Sequence, residues 1–247
     1  MATATRKQAK NIIILTSGLS GSSVLAATLA TSGLWPGDET IKKDDYDTWE
    51  NSELVKLNNG LLAASNVPSN WTMVFNRDNI RQVINATAEL DATSYKAFLE
   101  HCNAHSPWLW KDPRLWMTIP YWIKFINPDD TCFILLKRDN QQAWISVILR
   151  RHIQTFNYTK NYNEGIHQAL VEFVKERNLS HIELTYEDLI IEPEKTLAQI
   201  NQLANCSLEL EHFKEIFRGH LYKKQHGLKS LIKAILIYLK NYGSRYK

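Results

Sequence analysis

With 247 residues, 44% of them apolar, and 29 lysines and arginines against 26 acidic residues, the chain has material for one large domain with its own core. A net charge of +3 is too small to imply nucleic acid as a partner. No run approaches the roughly 18–20 apolar residues that a membrane span needs. Cys102, Cys132 and Cys206 are far apart and show no CxxC or metal-ligand spacing, so free thiols in a reducing, cytoplasmic setting are expected.

Residues 1–10 are polar and lack an apolar signal core, and read as a flexible tail. Ile12–Leu15, four apolar residues in succession, predict a short buried parallel strand. A loop of Gly, Ser and Thr follows, and an alanine-rich helix runs through Val24, Leu25, Thr28 and Leu29 to about Ser32. Gly33, Pro36 and Gly37 stop it. Asp38 to Asp47 reads as an acidic loop, and Glu50–Ala64 returns to helical spacing with Leu54, Leu57, Leu61 and Leu62 on one face. Asn79–Cys102 reads as helix, open to a break near Asp91. Trp108–Trp110 reads as a strand, Leu115–Ile126 as helix and Thr131–Lys137 as a buried strand. Further helices are expected over Gln141–Phe156, Glu164–Arg177, Pro193–Leu203 and Leu210–Phe217, with a strand at His181–Leu184. The last element, within 228–241, is a basic amphipathic helix that can dock on the core, pair with a second copy or lie on a membrane surface. Strands alternating with helices, without linker or repeat, predict a single α/β domain over 1–247, a central parallel sheet flanked by helices.

Strand, small-residue loop, helix is the geometry that offers free backbone N–H groups and a positive helix end to an anion. The loop Gly18-Leu19-Ser20-Gly21-Ser22-Ser23 is therefore a candidate phosphate or sulfate cradle, with serine hydroxyls as added donors; an ordinary strand-to-helix turn is the competing reading. No lysine follows Gly21, so the G-x-x-x-x-G-K-[ST] pattern of ATP-using P-loops is absent. Arg138 at a strand end and Ser146 two helical turns later can converge on one small anion.

That strand–Arg–helix–Ser spacing resembles the 3′-phosphate-binding element of sulfotransferases that use 3′-phosphoadenosine 5′-phosphosulfate (PAPS). The Thr16–Ser23 loop resembles their 5′-phosphosulfate loop. Trp110-Lys111-Asp112-Pro113-Arg114 is similar to the W-x-K-D-P-R element of bacterial members, and Tyr186-Glu187-Asp188-Leu189 through Pro193-Glu194 to their Y-E-D-L-x-x-x-P-E stretch. Trp49-Glu50 with Leu54–Asn58 is similar to their glutamate-bearing segment. The matches run in the family's order from residue 12 to about 205. The resemblance implies a P-loop nucleotide-hydrolase-like sulfotransferase fold, PAPS as donor with PAP as product, no required metal, and transfer to a hydroxyl, less readily an amine, of a small molecule or glycan. The family usually has Lys or Arg just before the Ser-Gly pair, where this chain has Leu19.

Carried onto this chain, the resemblance implies that residues 18–23 hold the 5′-phosphosulfate and that Arg138 and Ser146 hold the 3′-phosphate. Lys111, following a strand, is the candidate replacement cation at the carboxyl edge of the sheet. Glu50 is the candidate base, its carboxyl expected to gain basicity by burial against Trp49, and His105 is the alternative. Tyr186-Glu187-Asp188 reads as a structural tie, and the basic run 218–224 as a surface or a loop over the 3′-phosphate. Two other functions fit parts of the chain: a P-loop kinase-like protein, against which the missing lysine argues, and a sulfotransferase fold that binds without transferring, for which Leu19 argues.

Overall fold

The computed structural model describes residues 9–18, 20–44, 46–68, 74–218 and 228–244. Strands β1 (Asn11–Leu15), β4 (Leu109–Lys111), β5 (Thr131–Lys137) and β6 (His181–Thr185) form a parallel sheet in the order β4-β1-β5-β6. In β1 and β5, successive side chains point to opposite faces. Ile13, Phe133 and Leu135 join one core with Trp110; Ile12, Ile14, Cys132, Ile134 and Leu136 join another with Leu109. Both faces are thus buried, which is why these strands read as unbroken apolar runs.

The first core is lined by α2 (Ser52–Ala64), α4 (Thr93–Ala104), α5 (Leu115–Trp122) and α7 (Phe156–Glu176), with α3 (Arg77–Ala86) against α5. It absorbs much of the aromatic supply: Trp110 packs at 4.6 Å from Trp108 and 4.9 Å from Trp122, ring centre to ring centre. These tryptophans are packing residues rather than cleft lining. The second core is covered by α1 (Ser22–Thr31), α8 (Tyr186–Ile191), α9 (Pro193–Ala204) and α10 (Leu210–Arg218).

Several elements differ from the sequence reading. The acidic stretch after Gly37 is not all loop, because β2 (Thr40–Lys42) and β3 (Asp47–Asn51) pair antiparallel. Glu50 therefore belongs to a strand, and α2 starts at Ser52 behind the Asn51 cap, whose side chain accepts from the N–H of Glu53 and Leu54. The break near Asp91 is real, separating α3 from α4. Helix α6 (Asn140–Leu149) stops early, and α7 begins well before Glu164. Thr155 caps it through Tyr158 N, and burial of Thr159, Tyr162 and Asn163 holds a polar, aromatic first half whose propensity is modest.

Helix α11 (Leu228–Lys240) docks on α6, with Ala234 and Ile237 buried beside Trp144, Ile145 and Ile148. Its remaining apolar face, including Leu236 at 62% and Leu239 at 61%, is exposed. No helix among the described residues is long and apolar enough to cross a membrane. The basic run expected at 218–224 lies outside the described residues except for the end of α10.

Burial pushes the thiols of Cys102 and Cys132 up to about 12 each, and that of Cys206 upward as well. Cys102 and Cys132 are wholly buried, whereas Cys206 is part-exposed. A thiol titration of the native protein at pH 8 is therefore expected to report slow modification of Cys206 alone, and denaturant should release two more thiols. Rapid native modification of all three would contradict the described core.

Candidate functional site

The parallel register brings Leu15, Lys111, Lys137 and Thr185 to one edge of the sheet. The segments that leave this edge carry Gly18, Ser20–Ser23 and Arg138, and Lys111 ends the strand beside them. This is the carboxyl edge, where ligands of open α/β sheets bind.

The loop after β1 turns through Gly18 at φ 81 and Gly21 at φ 75, conformations that side-chain-bearing residues rarely adopt. A Cβ on Gly21 would lie 2.1 Å from the Tyr186 ring, so glycine is required there twice over. Gly21 is the N-cap of α1; no side chain caps this end, and no acidic residue occupies the first turn. The N–H groups and positive end of a ten-residue helix thus face the loop. Thr16 and Ser20 hydroxyls hydrogen-bond each other, and Gly18 N donates to Thr16 Oγ1. From α7, Asn163 accepts from Ser17 Oγ at 2.9 Å and Tyr162 OH donates to Ser17 O at 3.2 Å.

Lys111 ends β4 and is 3% exposed. Its ammonium donates to Glu50 Oε1 at 2.7 Å, Thr48 O at 3.0 Å and Ser23 Oγ at 3.3 Å. One buried cation thus joins β3, β4 and the first turn of α1. Asp112, fully buried, accepts from Arg114 N and Arg114 Nη1, each at 2.9 Å, and from Asn58 Nδ2 at 2.8 Å. Arg114 Nη1 lies 4.0 Å from Glu50 Oε2. Two cations and two carboxylates therefore share one pocket and balance each other, as buried charges must. Asn58 anchors the assembly: its Oδ1 accepts from Thr118 Oγ1 at 2.9 Å and Trp122 Nε1 at 2.8 Å.

Arg138 follows β5, beside β1, and its guanidinium carbon lies 5.3 Å from the centre of the Tyr186 ring. The same ring abuts Gly21. Arg138 and the glycine loop thus flank one aromatic side chain. Glu187 tethers this segment, with Oε2 accepting from Asp139 N at 3.1 Å and Oε1 at 3.9 Å from Arg138 Nε. Thr185 and Asp188 form a capping box at the start of α8. The Tyr-Glu-Asp stretch is the tie that the sequence suggested.

The family model for sulfotransferases matches residues 11–210, a span that holds every loop just described. The chain belongs to the sulfotransferase family. Among solved structures it is similar to the sulfotransferase domain from the curacin biosynthetic pathway, at 15% identity over 92% of this chain and 83% of that one, with a TM-score of 0.52. It is also similar to the sulfotransferase domain of the Synechococcus PCC 7002 olefin synthase, at 16% identity over 100% and 98%, with a TM-score of 0.50. At such identities the likeness is one of fold. No curated protein matches the chain.

Within this sulfotransferase fold the structure gathers Glu50, Lys111 and Ser23 into one contact, and Gly18, Ser20, Gly21 and Ser22 line the adjoining turn. Ser146 is buried in α6, the helix that begins just after Arg138. Leu19 lies outside the described residues. His105 is not brought to the cluster. It ends α4 where the chain approaches the amino end of β4, stacked on Trp35 with ring centres 4.6 Å apart. Contributors that escaped the sequence reading as site residues include Thr48, Asn58, Tyr162 and Asn163. Asn58 carried a signal, an amide on the same face of α2 as Leu54, Leu57, Leu61 and Leu62.

Proposed function

We propose that the chain moves a sulfuryl group from PAPS to a hydroxyl, less readily an amine, of a small-molecule or glycan acceptor. The observation that carries this reading is Lys111 Nζ within hydrogen-bond distance of both Ser23 Oγ and Glu50 Oε1. A cation, an anion-binding helix start and a carboxylate occur together, which are the parts that sulfuryl transfer asks of a protein: positioning, charge neutralisation and proton removal. Lys111 answers the absence of a cation at Leu19.

The residues present fit such a donor. The uncapped start of α1 and a glycine that tolerates no side chain suit close approach of an anionic group. Arg138, across Tyr186 from that glycine, suits a second anionic group on the same ligand. When bound, PAPS supplies the sulfuryl group and PAP leaves. The N–H groups of residues 20–23 hold its 5′ end, and Arg138 with Ser146 holds the 3′-phosphate. Lys111 balances the charge that grows on the departing oxygen. Glu50 Oε2, the oxygen not bonded to Lys111, takes the proton from the acceptor hydroxyl. The three free thiols favour a reducing, cytoplasmic setting for this work.

Calorimetry tests the donor. Binding of 3′,5′-ADP is expected to exceed that of ADP and 5′-AMP, and Arg138→Ala should lower affinity for 3′,5′-ADP alone, by about tenfold or more, as loss of a charged hydrogen bond implies. Equal affinity for all three nucleotides would remove the donor assignment. Tight 3′,5′-ADP binding without transfer to any acceptor in a panel would favour the binding-only reading that Leu19 suggests. For the base, Glu50→Gln is expected to lower turnover about a hundredfold at saturating acceptor. Near-normal turnover would move the proton to another group.

A further inference from the structure

Away from the Lys111 cluster, where the chain has left α1 and where α4 ends, Asp38, His101 and His105 converge. One ligand-type atom from each lies within 4.8 Å of the other two. We propose that these three side chains form a binding site for a divalent transition cation of the zinc class.

His101 and His105 are one helical turn apart, so both imidazoles lie on one face of the end of α4. His105 Nδ1 is 2.9 Å from His101 O. A carbonyl can only accept, so Nδ1 carries the proton and Nε2 keeps its lone pair. This is the arrangement found in metal-bound histidines, where the second ring nitrogen is anchored to a carbonyl or carboxylate. Stacking on Trp35, at 4.6 Å and 12° between planes, fixes the direction of the ring. His101 Nε2 is 2.8 Å from Asp38 Oδ2. In its neutral form His101 can move that proton to Nδ1 and present Nε2 at no cost in charge.

The donor set is two imidazoles and one carboxylate, which suits Zn²⁺, Ni²⁺ or Cu²⁺ rather than Mg²⁺ or Ca²⁺. Bond lengths near 2.1 Å at tetrahedral angles require donor atoms roughly 3.4 Å apart. The His101–Asp38 pair is already shorter than this. The wider spacing can close by side-chain rotation, since the His101 and Asp38 side chains are 46% and 67% exposed. Bound there, the cation would clamp the end of α4 to the segment that leads into the β2–β3 hairpin, and so to the strand that carries Glu50. The proposal does not depend on the sulfuryl-transfer assignment.

The test is calorimetry of the untagged full-length chain with ZnCl₂ and with NiCl₂. One cation per chain is expected, with a rise in melting temperature as Zn²⁺ is added. His101→Ala and His105→Ala should each weaken binding by about tenfold or more, and Asp38→Asn by less. Should the variants fold poorly, Ni²⁺ added to the unaltered chain is expected to broaden the imidazole NMR signals of His101 and His105 before those of the other histidines. Stoichiometric binding that survives the double His101→Ala/His105→Ala change, uniform broadening of all histidines, or neither heat nor melting shift at millimolar Zn²⁺ would overturn the proposal.

Discussion

Lys111→Ala is expected to slow sulfuryl transfer by about 10³-fold, the loss typical when one aimed donor is removed from a site of growing negative charge. Affinity for 3′,5′-ADP should change far less, because the loop amides and Arg138 remain. The variant also leaves Glu50 without its 2.7 Å partner, with Arg114 Nη1 at 4.0 Å from its other oxygen. Calorimetry with 3′,5′-ADP therefore serves as a control for folding. Lys111→Arg should not restore the rate, since a planar fork cannot reproduce a point charge that reaches Thr48 O, Glu50 Oε1 and Ser23 Oγ together. An unchanged turnover in Lys111→Ala would remove the lysine from the chemistry.

Asp112→Ala is expected to destabilise the fold by about 3–5 kcal/mol, the cost of removing one partner from a buried ion pair. Asp112 is fully buried and accepts from Arg114 twice and from Asn58 once. Without it, a guanidinium with 9% side-chain exposure loses its nearest carboxylate, and the Asn58 amide loses its acceptor. For a chain of this size the melting temperature should fall on the order of 10 °C. Asp112→Asn should cost less, since its carbonyl oxygen can still accept from Arg114 N. Melting curves that coincide with the unaltered protein would mean that Glu50 alone balances Arg114.

These two residues also show how far the sequence could be read. Lys111 and Asp112 stand in a motif recognisable by resemblance, and the strand before them is apolar enough to read directly. What they touch was not legible. Lys111 and Glu50 are separated by 61 positions, and their contact depends on a hairpin of polar residues. That hairpin has no alternating apolar face, and Thr48 ties it together by donating to Ile41 O. Strand β5 was read at its observed bounds because its residues are buried on both faces. The early start of α7 was missed because tertiary burial of Tyr162 and Asn163, rather than helical periodicity, decides it. The sequence reading took His105 alone, as an alternative base; His101 and Asp38 join it only in the folded chain.

Trp49 carries a last consequence. Its φ of 58 is a left-handed conformation that costs a non-glycine residue roughly 1–2 kcal/mol. Two short ties hold it, Trp49 N to Asp47 Oδ1 at 2.7 Å and Thr48 Oγ1 to Ile41 O at 2.7 Å. The residue that follows is Glu50. Its carboxylate is therefore aimed by a wound backbone, like a sprung catch, before any acceptor arrives. Such a catch has no gradual settings: relaxing that one torsion would swing the carboxylate off Lys111 while leaving the parallel sheet intact, so catalytic competence and global folding can part company at a single peptide unit.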